Sequence, residues 1–141
     1  MIGCTQKKET DVLKVVKKDQ LNAFVKKSWG HEEWIVNNEK YCGKKLVFNQ
    51  GHHCSMHFHK IKEETFYLLY GKMLVELEQE DGSIAKRVIT SGDVQHITPG
   101  LPHRMTALVD SAIIEFSTFH MDSDSYRKSP SGKIDVSTLE L

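Results

Sequence analysis

The alternation of apolar and polar positions breaks this chain into many short runs. Candidate strands occupy residues 12–16, 33–36, 41–48, 55–59, 65–69, 73–77, 85–89, 94–97, 103–107 and 112–119. Each is rich in β-branched, aromatic or alternating residues, which suit a pleated, half-buried surface. Turn-forming pairs separate them at Asn37-Asn38, Gln50-Gly51, Tyr70-Gly71, Asp81-Gly82, Ser91-Gly92 and Pro99-Gly100. An Asp-Gly pair between two strand-like runs is a strong hairpin signal, so Asp81-Gly82 is the firmest of these turns. Only residues 8–27 leave room for a helical turn or two. Strands recurring at about 8–12-residue spacing predict an all-β sandwich or barrel. The expected organisation is an N-terminal extension over 1–26, one domain over 27–127, and a tail over 128–141. That tail, with Pro130, Ser131 and Gly132, reads as loosely ordered or packed on a partner.

Composition adds bounds to this picture. A chain of 141 residues is one domain's worth, long enough to bury a core without disulfides. Lys and Arg balance Asp and Glu at 19 each, and the sequence pI is about 7.1. No basic excess is present to favour nucleic acid or a membrane surface. The lysines near the start (Lys14, Lys17, Lys18, Lys26, Lys27) are interleaved with Glu9, Asp11 and Asp19, which describes a solvated face. Cys4, Cys42 and Cys54 cannot all pair within one chain, so reduced thiols are expected. Cys54 reads as a buried spacer, since no base stands beside it to make it a nucleophile. No apolar run approaches the roughly 20 residues of a membrane span. Polar residues follow Met1-Ile2-Gly3-Cys4 at once, so the apolar core of a signal peptide is missing there. The expectation is a soluble, cytoplasmic protein.

The chemistry concentrates between Gly51 and His103. In Ser55-Met56-His57-Phe58-His59 the outer histidines are two apart, so on a strand they share a face. Glu64 opens the next strand; antiparallel pairing with the first would return its carboxylate beside both imidazoles. His103 lies far along the chain and would rejoin them by barrel closure, after the turn through Gly100 and Pro102. Three imidazoles and one carboxylate suit a divalent transition metal (Mn, Fe, Co, Ni or Zn) better than Ca or Mg. Four protein ligands on an octahedral ion leave two positions for water or substrate, the arrangement of a reactive site. Singly, each residue has a plainer reading: a surface His-x-His pair, a solvated hairpin carboxylate, a polar strand end. The metal reading rests on the four arriving together.

They also arrive with glycine and proline punctuation. Gly51, His57-x-His59, Glu64 and Gly71, at successive gaps of five, four and six residues, resemble the first cupin motif. Gly92-Asp93 and Gly100-Leu101-Pro102-His103 resemble the second, with Thr98 and Ala107 standing where that family usually carries Pro and often carries Asn. The resemblance implies a double-stranded β-helix, the cupin jelly-roll barrel, with the metal on His57, His59, Glu64 and His103. A narrower resemblance covers nearly all of residues 27–127. Lys27-Ser28-Trp29-Gly30, Tyr41, Lys44, Leu46, Gly51, Ser55, His59, Glu64, Gly71, Ile114-Glu115 and Asp124-Ser125-Tyr126-Arg127 look like the cupin domain of type II mannose-6-phosphate isomerases. His57 replaces that family's Gln, as in cupin D-lyxose isomerases.

The implied ligand is a small sugar or sugar phosphate, and the implied reaction is aldose–ketose isomerisation or epimerisation. A side chain must then move a proton between neighbouring carbons, and Glu63, His96 and Glu115 are the candidates. Lys44 and Arg127 are candidates for gripping a phosphate or a distant hydroxyl. Taken alone, each of these five also reads as an ordinary surface polar group. Two other functions share the same ligand set: an iron-dependent dioxygenase, and a non-catalytic cupin that binds metal and sugar. Family habit and exposed strand edges add the expectation of a homodimer.

Overall fold

The computed structural model describes residues 14–21 and 23–141, and it is built almost wholly of antiparallel strands. In chain order these are β1 (Ala23–Lys27), β2 (Gly30–Asn37), β3 (Cys42–Phe48), β4 (His52–His53), β5 (Met56–Phe58), β6 (Glu64–Tyr70) and β7 (Lys72–Glu78). They continue with β8 (Ile84–Thr90), β9 (Val94–Ile97), β10 (His103–Ala107), β11 (Ser111–Ser117), β12 (Tyr126–Ser129) and β13 (Gly132–Lys133). One six-stranded sheet runs β1-β2-β3-β11-β6-β9. In the second sheet β10 is central: β7 and then β8 lie on one side, β4 and β5 on the other, with β13 and β12 beyond them. The two sheets face each other in an all-β jelly-roll.

Alternation along each strand sends one set of side chains between the sheets. Phe48, Leu68, Met73, Val75, Ile97, Met105, Ala107 and Ile113 meet there, and none is more than 2% exposed. Trp29 stacks on Phe48 with ring centroids 4.0 Å apart and closes one end of this core. The motif glycines have backbone reasons. Gly71 turns β6 into β7 at φ +101°, and a Cβ there would lie 2.1 Å from Ser111 Oγ. Gly51 adopts φ +79° against the carbonyl of Ile134. Both positions exclude a side chain.

The expected hairpin at Asp81-Gly82 joins β7 to β8, with Asp81 Oδ1 accepting from the Ser83 N–H at 2.9 Å. Three expectations need correction. Of the strand expected over 12–16, residues 12 and 13 lie outside the described residues, and 14–16 are exposed and irregular. Among the described residues of 8–27, one 3-10 turn forms at Lys18–Gln20 and β1 follows, so the six-stranded sheet begins before residue 27. The tail is not loose: β12 pairs with β5 and β13 with β4, because those short strands leave backbone groups open on that side of β10. No helix among the described residues is long and apolar enough to cross a membrane.

Candidate metal centre

His57 lies on β5, His59 one residue beyond its end, and His103 opens β10. β5 and β10 are antiparallel neighbours with His57 opposite His103, which sets the two rings 4.4 Å apart. The ring nitrogens of the three histidines converge within 4.8 Å of one another. Glu64 arrives differently from the hairpin expectation. β6 does not pair with β5; it lies in the opposite sheet between β11 and β9, so the carboxylate reaches the imidazoles across the space between the sheets. The physical reason is the turn over residues 60–63, whose N–H groups bond to Asp124 (60–62) and to Thr118 Oγ1 (63) rather than closing a ladder to β5.

Each imidazole is held through Nδ1. His57 Nδ1 lies 2.8 Å from Ser55 O, His59 Nδ1 2.9 Å from Asp124 O, and His103 Nδ1 2.9 Å from Leu101 O. A carbonyl oxygen only accepts, so all three rings donate from Nδ1 and turn the Nε2 lone pair inward. Such outer hydrogen bonds are what fix the tautomer of a metal-ligating histidine. Burial, reinforced by the neighbouring His103, pushes His57 down to about 3. Burial also lowers His59, so His57 and His59 remain neutral and available as ligands near neutral pH.

Glu64 supplies the charge. Burial alone would raise its proton affinity, but the Lys62 ammonium beside it opposes that, and the carboxyl is held well below the usual Glu range. Its Oε1 is taken by Lys62 Nζ at 2.7 Å, leaving Oε2 at 3.2 Å from His103 Nε2 and 3.6 Å from His59 Nε2. Among the described residues, the buried side-chain polar atoms lacking a hydrogen bond are Glu64 Oε2 and His103 Nε2. Two acceptor atoms facing each other at 3.2 Å repel unless a cation lies between them. The three converging imidazoles and the two orphaned atoms therefore fit one divalent metal ion, which His57, His59, Glu64 and His103 would hold.

A cavity of about 890 Å³ opens from this cluster, within the roughly 300–1,000 Å³ of small-molecule sites. Its floor carries charge that periodicity alone would assign to a core. Lys62 is 2% exposed and bonds to Glu64, to Glu115 Oε2 at 3.2 Å and to His120 Nδ1 at 3.0 Å. Burial opposes its charge, yet Glu115 and Glu64 hold it above the usual Lys value. Glu115 is raised, first by burial and then by Glu64. Lys44, also 2% exposed, lies 4.0 Å from the Trp34 ring centroid and 3.3 Å from Glu32 Oε1.

Of the candidate acid–base and binding residues, Glu115, Lys44 and Arg127 line this cavity. Glu63 and His96 do not. They meet each other at 3.3 Å on the outer surface, both about half exposed. The register explains it: Glu64 faces inward opposite Ile97, so Glu63 and the Thr65–His96 pair face out. Cys54 is buried in the cavity wall with its thiol pushed up to about 11 by burial, an inert spacer. Trp29 and Phe66 are core residues, while Phe116 and Phe119 are exposed.

Three contributors take roles that the sequence does not assign them. Lys62 sits in a turn, where no alternation marks a side chain as inward. His120 is half buried and held at both nitrogens, by Lys62 and by Asp122 at 2.9 Å; burial pushes it down to about 4. Asp124 was noted only within a motif, and its fourfold backbone bonding appears only in three dimensions.

Comparison with known proteins agrees with this architecture. A variant of the Bacillus subtilis oxalate decarboxylase superposes with a TM-score of 0.69 at 19% identity, covering 75% of this chain and 30% of that one. CapF, solved with the inhibitor 3-isopropenyl-tropolone, gives 0.67 at 18% identity, covering 74% and 33%. The chain thus spans about a third of the length of either structure, and the likeness is one of fold. The family model described as Cupin matches residues 17–140. The chain belongs to the cupin family.

Proposed function

We propose that this cupin is a metal-dependent aldose–ketose isomerase or epimerase acting on a small sugar or sugar phosphate. The observation that carries the reading is Glu115. It is a buried carboxylate in the cavity wall, linked through Lys62 to the ligand Glu64, with its proton affinity raised. A buried carboxylate whose proton affinity is raised suits proton transfer. Its Oε2 is engaged by Lys62 and Ser117, which leaves Oε1 without a protein partner among the described residues. A bound divalent ion would supply Lewis-acid polarisation of a carbonyl and the adjacent hydroxyl. Lys62 keeps a fixed positive charge beside both carboxylates, so Glu115 can gain or lose a proton while Glu64 remains ionised. Trp34 offers an apolar surface for a sugar ring, and Lys44 and Arg127 offer charge for a phosphate or a distant hydroxyl.

The oxalate decarboxylase carries Mn(II) centres, which makes Mn(II) a sensible first ion to load here. A homodimer in the cytoplasm completes the proposal. The exposed Phe24, Phe116 and Val94 on the outer face of the six-stranded sheet are in keeping with a second copy packing there.

The test is proton NMR in heavy water. Protein loaded in turn with Mn, Co and Zn is incubated with pentoses, hexoses and their phosphates, and paramagnetic metal is removed before reading. The proposal expects loss of the C1 or C2 proton signal for at least one sugar, abolished in Glu115→Gln. Sugar binding with no exchange for any panel member would contradict it and favour a binding protein. Substrate-dependent oxygen uptake with ferrous iron would favour a dioxygenase.

A further inference from the structure

Asp124 closes the short 3-10 turn Asp122–Asp124 and is 4% exposed. Among the described residues its carboxylate makes no ion pair, an unusual state for a buried Asp. Its acceptor capacity goes instead to three successive backbone N–H groups. Oδ1 accepts from Lys60 at 2.9 Å, both oxygens accept from Ile61 at 3.2 Å, and Oδ2 accepts from Lys62 at 3.0 Å. The main-chain oxygen of the same residue accepts from His59 Nδ1 at 2.9 Å. One residue therefore grips the chain at 59 and again at 60–62. That segment carries the backbone from the sheet of His57 to the opposite sheet, where Glu64 stands.

We infer that Asp124 is the positioning residue of the metal centre. Its carbonyl sets the ring of His59. Its carboxylate shapes the turn that delivers the Lys62 ammonium, which in turn occupies one oxygen of Glu64 and leaves the other facing the three imidazoles. A turn needing only a cap would be served by a neutral Ser or Asn; a buried carboxylate spanning three N–H groups fixes the direction in which Lys62 leaves the backbone. The segment holding Asp124 is itself tied down, because Asn37 bonds both the N–H and the carbonyl of His120 at 2.9 and 3.1 Å. The inference rests on the metal-centre reading.

The experiment is Co(II) binding to full-length, metal-stripped protein, followed by calorimetry and by the visible spectrum of the bound ion. Asp124→Asn keeps the carbonyl to His59 and one side-chain acceptor, but sets an amide NH₂ against at least one backbone N–H. Asp124→Ala keeps only the carbonyl. Outer-shell partners of metal ligands typically matter by roughly 10- to 100-fold in affinity. The expected loss is near the lower figure for Asn and the upper for Ala, with an altered spectrum in both. The control is Asp93→Asn, which removes a carboxylate acceptor for the Thr90 N–H in an exposed turn away from the site. It should lower thermal stability slightly and leave affinity and spectrum unchanged. Wild-type affinity and spectrum in Asp124→Asn, whatever its thermal stability, would overturn the inference; this gentler variant also decides the matter if Asp124→Ala fails to fold. Failure of the wild-type protein itself to bind Co(II) would instead overturn the metal-centre reading.

Discussion

The two ends of the space between the sheets are built by the same strands but with opposite chemistry. On β6 the inward residues run Glu64, Phe66, Leu68; on β10 they run His103, Met105, Ala107; on β3 they run Lys44, Leu46, Phe48. On β11 the charged Glu115 gives way to Ile113. Over each of these stretches the pleat alternates without a break, and one end is charged or imidazole-bearing while the rest is apolar. The apolar end holds the fold through burial, at about 25 cal/mol per Å² of apolar surface removed from water. The polar end holds charges that are costly to bury and persist only because each is paired. A charged residue at a phase-matched inward position therefore marks where the molecule departs from pure stability, and where its chemistry belongs.

Paired substitutions sharpen that contrast. Lys62→Met leaves Glu64 and Glu115 buried without their shared ammonium, and breaking a buried ionic set by removing one partner typically costs about 3–5 kcal/mol. In urea unfolding the metal-free variant should show that loss, and a divalent ion should restore part of it by binding the folded state. Leu68→Ala, in the apolar end, should cost about 2–5 kcal/mol through the lost methyl groups and the cavity left behind. Its metal affinity should remain that of the wild type. If both variants changed stability and metal affinity alike, the two ends would not be separable.

Acid titration reaches the polar end alone. An unfolded histidine titrates near 6.5, whereas the folded protein holds His57 down to about 3 and His120 down to about 4. Between those limits the unfolded chain takes up protons that the native state refuses, so stability falls as pH falls. The stability of metal-free protein should be level above about pH 6.5 and decline steadily below it, followed by urea midpoints at successive pH values. A midpoint unchanged down to pH 4 would mean that these imidazoles are not buried as described. The smallest effect is expected on the outside: His96→Ala, at a half-exposed position, should change stability by no more than about 0.5 kcal/mol and leave metal binding untouched.

Much of this was legible in the sequence because it depends on period and punctuation. Period-two runs located most of the strands that face the core, and the motif glycines sit where φ is positive or a Cβ would collide. The four candidate ligands could be picked out because two lie in an i, i+2 pair and all four stand at motif spacing; the structure brings the three histidines together within 4.8 Å. Where legibility failed, the cause is physical. β4, β12 and β13 are only two to four residues long, too short for a periodic signal. Phase alone could not say that Glu64 is inward and Glu63 outward until register was known, and so Glu63 and His96 stood beside Glu115 as candidate bases. Lys62 and Asp124 act from turns, where side-chain direction is set by tertiary hydrogen bonds rather than by strand alternation.

The central claim is that His57, His59, Glu64 and His103 hold a single divalent ion between the two sheets. Its most direct test is calorimetric titration of metal-stripped protein with Mn(II) and Co(II), wild type beside His103→Ala, with circular dichroism to confirm that the β fold survives. The account predicts one equivalent bound by the wild type and a loss of most affinity in the folded variant. Equal stoichiometry and affinity in the two proteins would contradict it.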